Sequence, residues 1–182
     1  MTASLEQNGR VLELVVGDIT RERVDAIGNA ANSALRGGGG VDGAIHAAAG
    51  PQLLEELVSR YPDGTPTGSA VVTGGHRLPA RWILHAVGPV WRGGLQGEPE
   101  QLASAYAACL RLADELGATS LSLPAISMGI YGYPAPEGAE VALPTVLDHF
   151  SGETSVRLVR FVLRDATYPS FAAALSAASD AG

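Results

Sequence analysis

Residues 11–16 (VLELVV) alternate partly between apolar and polar and then turn continuously apolar, the pattern of a strand buried on at least one face. The turn GDIT at 17–20 follows, with Asp18 at the strand end, suited to cap the short RERV segment. Residues 25–30 read as a second short strand, and residues 44–49 as a helix of small residues. A further helix is expected over 51–60, where Pro51 favours the first helical position. Residues 67–73 and 81–87 are strand candidates joined by GGHRLPA. Over 99–116 the apolar positions Leu102, Tyr106, Cys109, Ala113 and Leu116 repeat with helical period, and Gly117 supplies the stop. The rest reads as a strand at 120–123, a helix at 137–150 that Pro144 should kink or shorten, a strand at 156–163 and a helix at 168–178. Strands alternating with helices predict an open α/β sheet.

Composition narrows the picture. A chain of 182 residues without internal repeats or low-complexity linkers is expected to form one domain over 1–182, with a monomer as the simpler expectation. The formal net charge of −7 disfavours a general binder of nucleic acid or anionic membrane, since both need a basic field. The single cysteine, Cys109, permits no intramolecular disulfide, and it lies on the apolar helical stripe, which favours packing over nucleophilic chemistry. The polar start shows no secretory apolar core and no apolar run reaches membrane-spanning length, so the cytoplasm is the expected compartment. His76 and His85 share no metal-ligand spacing with each other or with Cys109, and neither a metal nor a cofactor is expected.

The candidate chemistry lies in two glycine-bearing loops, each between a strand and a helix. The first, within GNAANSALRGGGGVDGAIH, carries Asn29, Asn32, the run Gly37, Gly38, Gly39, Gly40, then Val41 and Asp42. Successive residues without Cβ let backbone N–H groups close on an anion, and a following helix adds its positive end. The second loop, PAISMGIYGYP, carries Ser127, Met128, Gly129, Ile130 and Tyr131. Two such loops at the carboxyl ends of strands would face one crevice and imply a diphosphate or a nucleotide diphosphate as ligand. All 12 basic residues are Arg, which excludes a P-loop lysine and any lysine nucleophile. His46, in the first helix, reads as a hydrogen-bonded core residue.

GDIT, NAAN, GGGGVDGAIH, LPARWILHAVGP and SMGIYGYP together resemble the macrodomain family, and within it the MacroD-type class, in that family's order and approximate spacing. The resemblance implies a three-layer α/β/α fold with a central mixed sheet of about six strands and an ADP-ribose cleft at the strand ends. It implies that Asp18 and Ile19 meet the adenine, and that the backbone from Gly38 to Val41 and from Ser127 to Tyr131 holds the diphosphate. Asn32 and Asp42 would contact the distal ribose near the scissile carbon, with Asp42 as candidate general base and Asn29 ordering the loop. The implied substrates are ADP-ribose esters of Asp and Glu side chains in mono-ADP-ribosylated proteins, and O-acetyl-ADP-ribose. The alternative is a reader that binds ADP-ribose without turnover. Four positions depart from the family pattern: Gly28 replaces a branched residue and should loosen its strand, Met128 sets a flexible side chain near the phosphates, Ala44 replaces a frequent Cys with no effect expected, and Arg164 stands where an aromatic stacks on adenine.

Overall fold

The computed structural model describes residues 1–182. Seven strands and five helices alternate along the chain: β1 (Thr2–Gln7), β2 (Arg10–Val16), β3 (Ala26–Ala31), α1 (Gly40–Ala49), α2 (Gln52–Arg60), β4 (Ala70–Gly74), β5 (Trp82–Val87), α3 (Glu98–Glu115), β6 (Ser120–Leu123), α4 (Ala135–Phe150), β7 (Leu158–Leu163) and α5 (Tyr168–Asp180). They form one mixed sheet in the order β1-β2-β7-β6-β3-β5-β4. The five inner strands run parallel, and β1 and β4 close the two edges antiparallel to β2 and β5.

Alternation along the strands decides which helix covers which face. Leu84 and Ala86 of β5 join Tyr106, Leu143 and Phe171 in the larger core under α3, α4 and α5. Ile83 and Val87 of the same strand point the other way, into the core under α1 and α2 with Ile45, Leu53 and Leu57. Three layers result, and inner strands such as β5, covered on both faces, are nearly continuous in apolar residues. Tyr106, fully buried, donates its hydroxyl to Pro124 O at 2.9 Å and accepts from Ile126 N at 2.8 Å, so α3 anchors the start of the loop after β6. Cys109 is buried in the same core, and burial pushes its thiol up to about 12, which agrees with a packing role. No helix is long and apolar enough to cross a membrane.

Four details depart from the sequence reading. The seventh strand is β1, whose residues alternate between exposed and half-buried; Asn8 and Gly9, both at positive φ, turn it onto β2. Helix α1 starts at Gly40 rather than at residue 44, so the last glycine of the run and Val41 lie in its first turn. Strand β4 starts at Ala70 because Pro66 and Gly68 lie in a turn before it. Helix α4 is not cut short: it runs through Pro144 to Phe150. Pro144 and Glu140 both sit on its exposed side, so the carbonyl that Pro144 cannot satisfy is open to water.

Candidate functional site

β3, β5, β6 and β7 are parallel and end at one edge of the sheet, and the segments leaving them enclose a cleft of about 660 Å³. Its walls are the end of β3, the glycine loop, Gly88 beyond β5, the loop after β6, and the exit of β7 at Val162, Leu163 and Arg164. Among the residues expected at the site, Asn32, Asp42, Gly38, Gly39, Gly40, Val41, Ser127, Met128, Gly129, Ile130, Tyr131 and Arg164 line it.

The glycine loop is held from within. Asn32 Nδ2 donates to Gly37 O at 2.9 Å, and Asn32 Oδ1 accepts from Leu35 N at 3.1 Å, so one side chain spans the turn. The close return of the loop onto α1 requires Gly43, where a Cβ would stand 2.6 Å from Gly38 O. The N–H groups of residues 38–42 donate to no other protein group, and neither do those of Gly129, Ile130 and Tyr131. Two banks of free donors therefore border one cleft, the first of them on the positive end of α1.

The second loop is braced from the β5 side. Glu98, buried at the start of α3, accepts from Arg92 N at 3.0 Å, Gly94 N at 2.7 Å and Gln96 N at 2.7 Å, which fixes the segment carrying Trp91. Trp91 N then donates to Tyr131 O at 2.9 Å, and its ring packs on Tyr133 at 4.6 Å between centroids. Ser127 adopts φ +67, with its buried hydroxyl unpartnered and lying against Gly88, where a Cβ would overlap it. The exposed Ile130 reaches across to the first loop, its Cδ1 3.3 Å from where a Gly39 Cβ would stand.

Asn32 and Asp42 converge on Gly38: a Cβ there would stand 3.3 Å from Asp42 Oδ2 and 3.5 Å from Asn32 Nδ2. Asp42 is buried in the first turn of α1. Its Oδ1 accepts from Asn29 Nδ2 at 2.8 Å and lies 3.4 Å from His46 Nε2, while no protein group donates to Oδ2. The carboxylate is thus held by one oxygen and offers the other to the cleft. Asn29 lies behind the cleft wall, fully buried, and ties side chains together where loop backbone was expected.

Asp18, Ile19, Met128 and Gly28 have surroundings of their own. Asp18 is exposed just beyond β2; its Oδ1 accepts from Thr20 N at 3.0 Å and Thr20 Oγ1 at 2.6 Å, a cap that holds its carboxyl below the usual range, while its Oδ2 lies 3.7 Å from Arg21 Nε. Ile19 is buried in the core under α1. Met128 borders the cleft but packs its thioether against Gly138 of α4, away from the free donors, and Gly28 does not loosen β3, since a Cβ there would meet Leu123 Cδ2 at 2.8 Å.

The sequence reading passed over His46 and His85 as site residues. His46 is only partly buried and stands one helical turn after Asp42, a spacing of four that was open to view. His85 is fully buried on β5 directly beside Asn29, a register that no local pattern announces. Burial, with the nearby charge of His46, pushes the His85 imidazole down to about 3, so it is neutral at any working pH. No group of three or more potential metal-ligating side chains converges anywhere in the fold.

The model of the Macro domain family matches residues 28–142. The O-acetyl-ADP-ribose deacetylase of Enterobacter sp. is 51% identical over 156 residues, covering 85% of this chain and 87% of that protein. The Oceanobacillus iheyensis macrodomain with ADP superposes with a TM-score of 0.94 at 39% identity, covering 100% of this chain and 98% of that one. The Trypanosoma brucei macrodomain in complex with ADP-ribose gives a TM-score of 0.83 at 36% identity, covering 90% of this chain and 68% of that one. With the three-layer fold, the paired glycine loops and a family match over most of its length, this chain belongs to the macrodomain family.

Proposed function

We propose that this macrodomain binds ADP-ribose in the cleft and hydrolyses ADP-ribosyl esters, releasing mono-ADP-ribose from Asp and Glu side chains of proteins and deacetylating O-acetyl-ADP-ribose. The observation that carries the proposal is the convergence of Asn32 Nδ2 and Asp42 Oδ2 on Gly38, beside two banks of free backbone donors. A diphosphate fits those donors, because backbone N–H groups and a helix N-terminus bind anions without any lysine. The relatives support the ligand class: one is named for O-acetyl-ADP-ribose, and two solved macrodomains hold ADP or ADP-ribose.

Held in that way, the ligand would run from an adenine beside Arg164, whose exposed guanidinium can stack on it, to a distal ribose at Gly38. Asp18 and Ile19, near the adenine end, would act at the rim. One Asn32 Nδ2 hydrogen holds the loop, and the other remains to orient a ribose hydroxyl. Asp42 Oδ2 would take a proton from the attacking water as the ester opens, and Asn29 on Oδ1 keeps the carboxylate turned toward the cleft. A reader without turnover is the second reading, favoured by Arg164, which stands at the cleft where the family pattern has an aromatic. Calorimetry with ADP-ribose and acetate release from O-acetyl-ADP-ribose distinguish the two. Binding with acetate release is expected; binding without release supports the reader, and no binding removes both.

A further inference from the structure

We infer that His85 and Thr73, outside the cleft, are positioning residues that orient the Asp42 carboxylate through Asn29. The kinetic consequence of this inference rests on the proposed hydrolase reading, whereas its structural content stands on the hydrogen-bond chain alone.

The chain crosses three strands before reaching α1. Thr73 on β4 donates its hydroxyl proton to Gly74 O at 3.1 Å, so Oγ1 is left as the acceptor for His85 Nε2 at 2.9 Å. That interaction puts the imidazole proton on Nε2 and leaves a lone pair on Nδ1. Nδ1 stands 3.1 Å from Asn29 Nδ2, so the amide must present N–H to it rather than oxygen. The second N–H of the same amide then meets Asp42 Oδ1 at 2.8 Å. Reversing the chain would put the proton on Nδ1 and turn the amide oxygen toward Asp42, a coherent arrangement only when that carboxyl is protonated. The tautomer of His85 is therefore coupled to the charge of Asp42.

Register and burial fix the geometry. Asn29 and His85 are directly paired across β3 and β5, and Thr73, His85 and Asn29 are all excluded from solvent. A neutral His85 adds no charge beside Asp42, so it serves as a directional acceptor and not as a counter-ion. The titratable groups around the chain are Asp42 and His46 on α1, with Glu56 and His76 bonded to each other beyond β4. None of these donates to Asn29 or His85, and Asn29 Oδ1 meets no protein donor, so the amide takes its orientation from the two acceptors facing Nδ2, His85 Nδ1 and Asp42 Oδ1. Loss of the His85 acceptor leaves the Asn29 amide held at Asp42 Oδ1 only, so both side chains gain freedom to turn together.

Two readouts test this. Two-bond proton–nitrogen correlation spectra of the unmutated chain at neutral pH should show His85 as the Nε2–H tautomer; the Nδ1–H tautomer would overturn the inference whether or not the chain is an enzyme. In single-turnover release of ADP-ribose, His85→Leu, similar in volume but without an acceptor, should be slower by roughly 10-fold or more, the scale for losing a partner that orients a site residue. Its ADP-ribose Kd should stay within about threefold, and His85→Asn, whose carbonyl can replace Nδ1, should recover most of the rate. Equal rates for His85→Leu and the unmutated chain, or equal loss in the Leu and Asn variants, would overturn it. Should His85→Leu fail to fold, Thr73→Val takes its place, with the same slowing expected and an unchanged rate overturning the inference. No release by the unmutated chain would sink the hydrolase reading and leave the tautomer to decide the inference.

Discussion

Asp42→Asn should lower the rate of ADP-ribose release from a Glu-modified protein by about 10²- to 10⁴-fold, the range that a positioned general base contributes. The substitution keeps the shape of the side chain and an oxygen to accept from Asn29 Nδ2, 2.8 Å away in the unmutated chain, so the loop geometry should survive. What disappears is the basic oxygen beside Gly38. Asp42 also stands in the first turn of α1, where losing a negative charge costs about 0.3–1 kcal/mol of stability. A loss that small cannot explain a thousandfold fall in rate, so melting temperature and rate separate the two effects. Affinity for ADP-ribose should hold or improve, because the variant removes a carboxylate close to the diphosphate donors. A variant as fast as the unmutated chain would take Asp42 out of the chemistry and leave the water to be activated by the ligand itself.

The second large effect is on binding. Gly39→Glu should weaken ADP-ribose at least about 100-fold, since a like charge facing a diphosphate costs several kcal/mol. Gly39 has φ −96, a conformation open to any residue, so the variant should fold. Its carboxylate would reach among the free N–H groups of residues 38–42 and occupy the place of a ligand phosphate. Gly39→Ala separates bulk from charge. Its methyl meets only the tip of Ile130, a flexible and exposed side chain, at 3.3 Å, so affinity within a few-fold of the unmutated chain is expected. Calorimetry on both variants gives the answer, and normal binding by Gly39→Glu would move the phosphates away from the glycine run.

The parallel core of the sheet was legible because its strands carry near-continuous apolar runs between turn residues, as in WILHAV. The edge strand β1 was not, since only Ala3 and Leu5 face the core among polar neighbours; the Asn8-Gly9 dipeptide was the one local sign of its hairpin. Pro144 misled because the cost of a helical proline falls when the orphaned carbonyl faces water. At the site, the glycine loops announced themselves by composition. The groups around Asp42 did not, because Asn29 meets it from a strand, His46 from one helical turn on, and His85 only through Asn29 by a cross-strand register. Asp18 is a motif residue with one carboxylate oxygen engaged by its own turn.

Time-resolved release of ADP-ribose from a protein mono-ADP-ribosylated on Glu or Asp, by the unmutated chain and by its Asn32→Ala, Asp42→Ala double variant, tests the central claim most directly. Release by the unmutated chain alone is the predicted result and puts the chemistry at Gly38. Equal release by both, or none by either while ADP-ribose still binds, would contradict it.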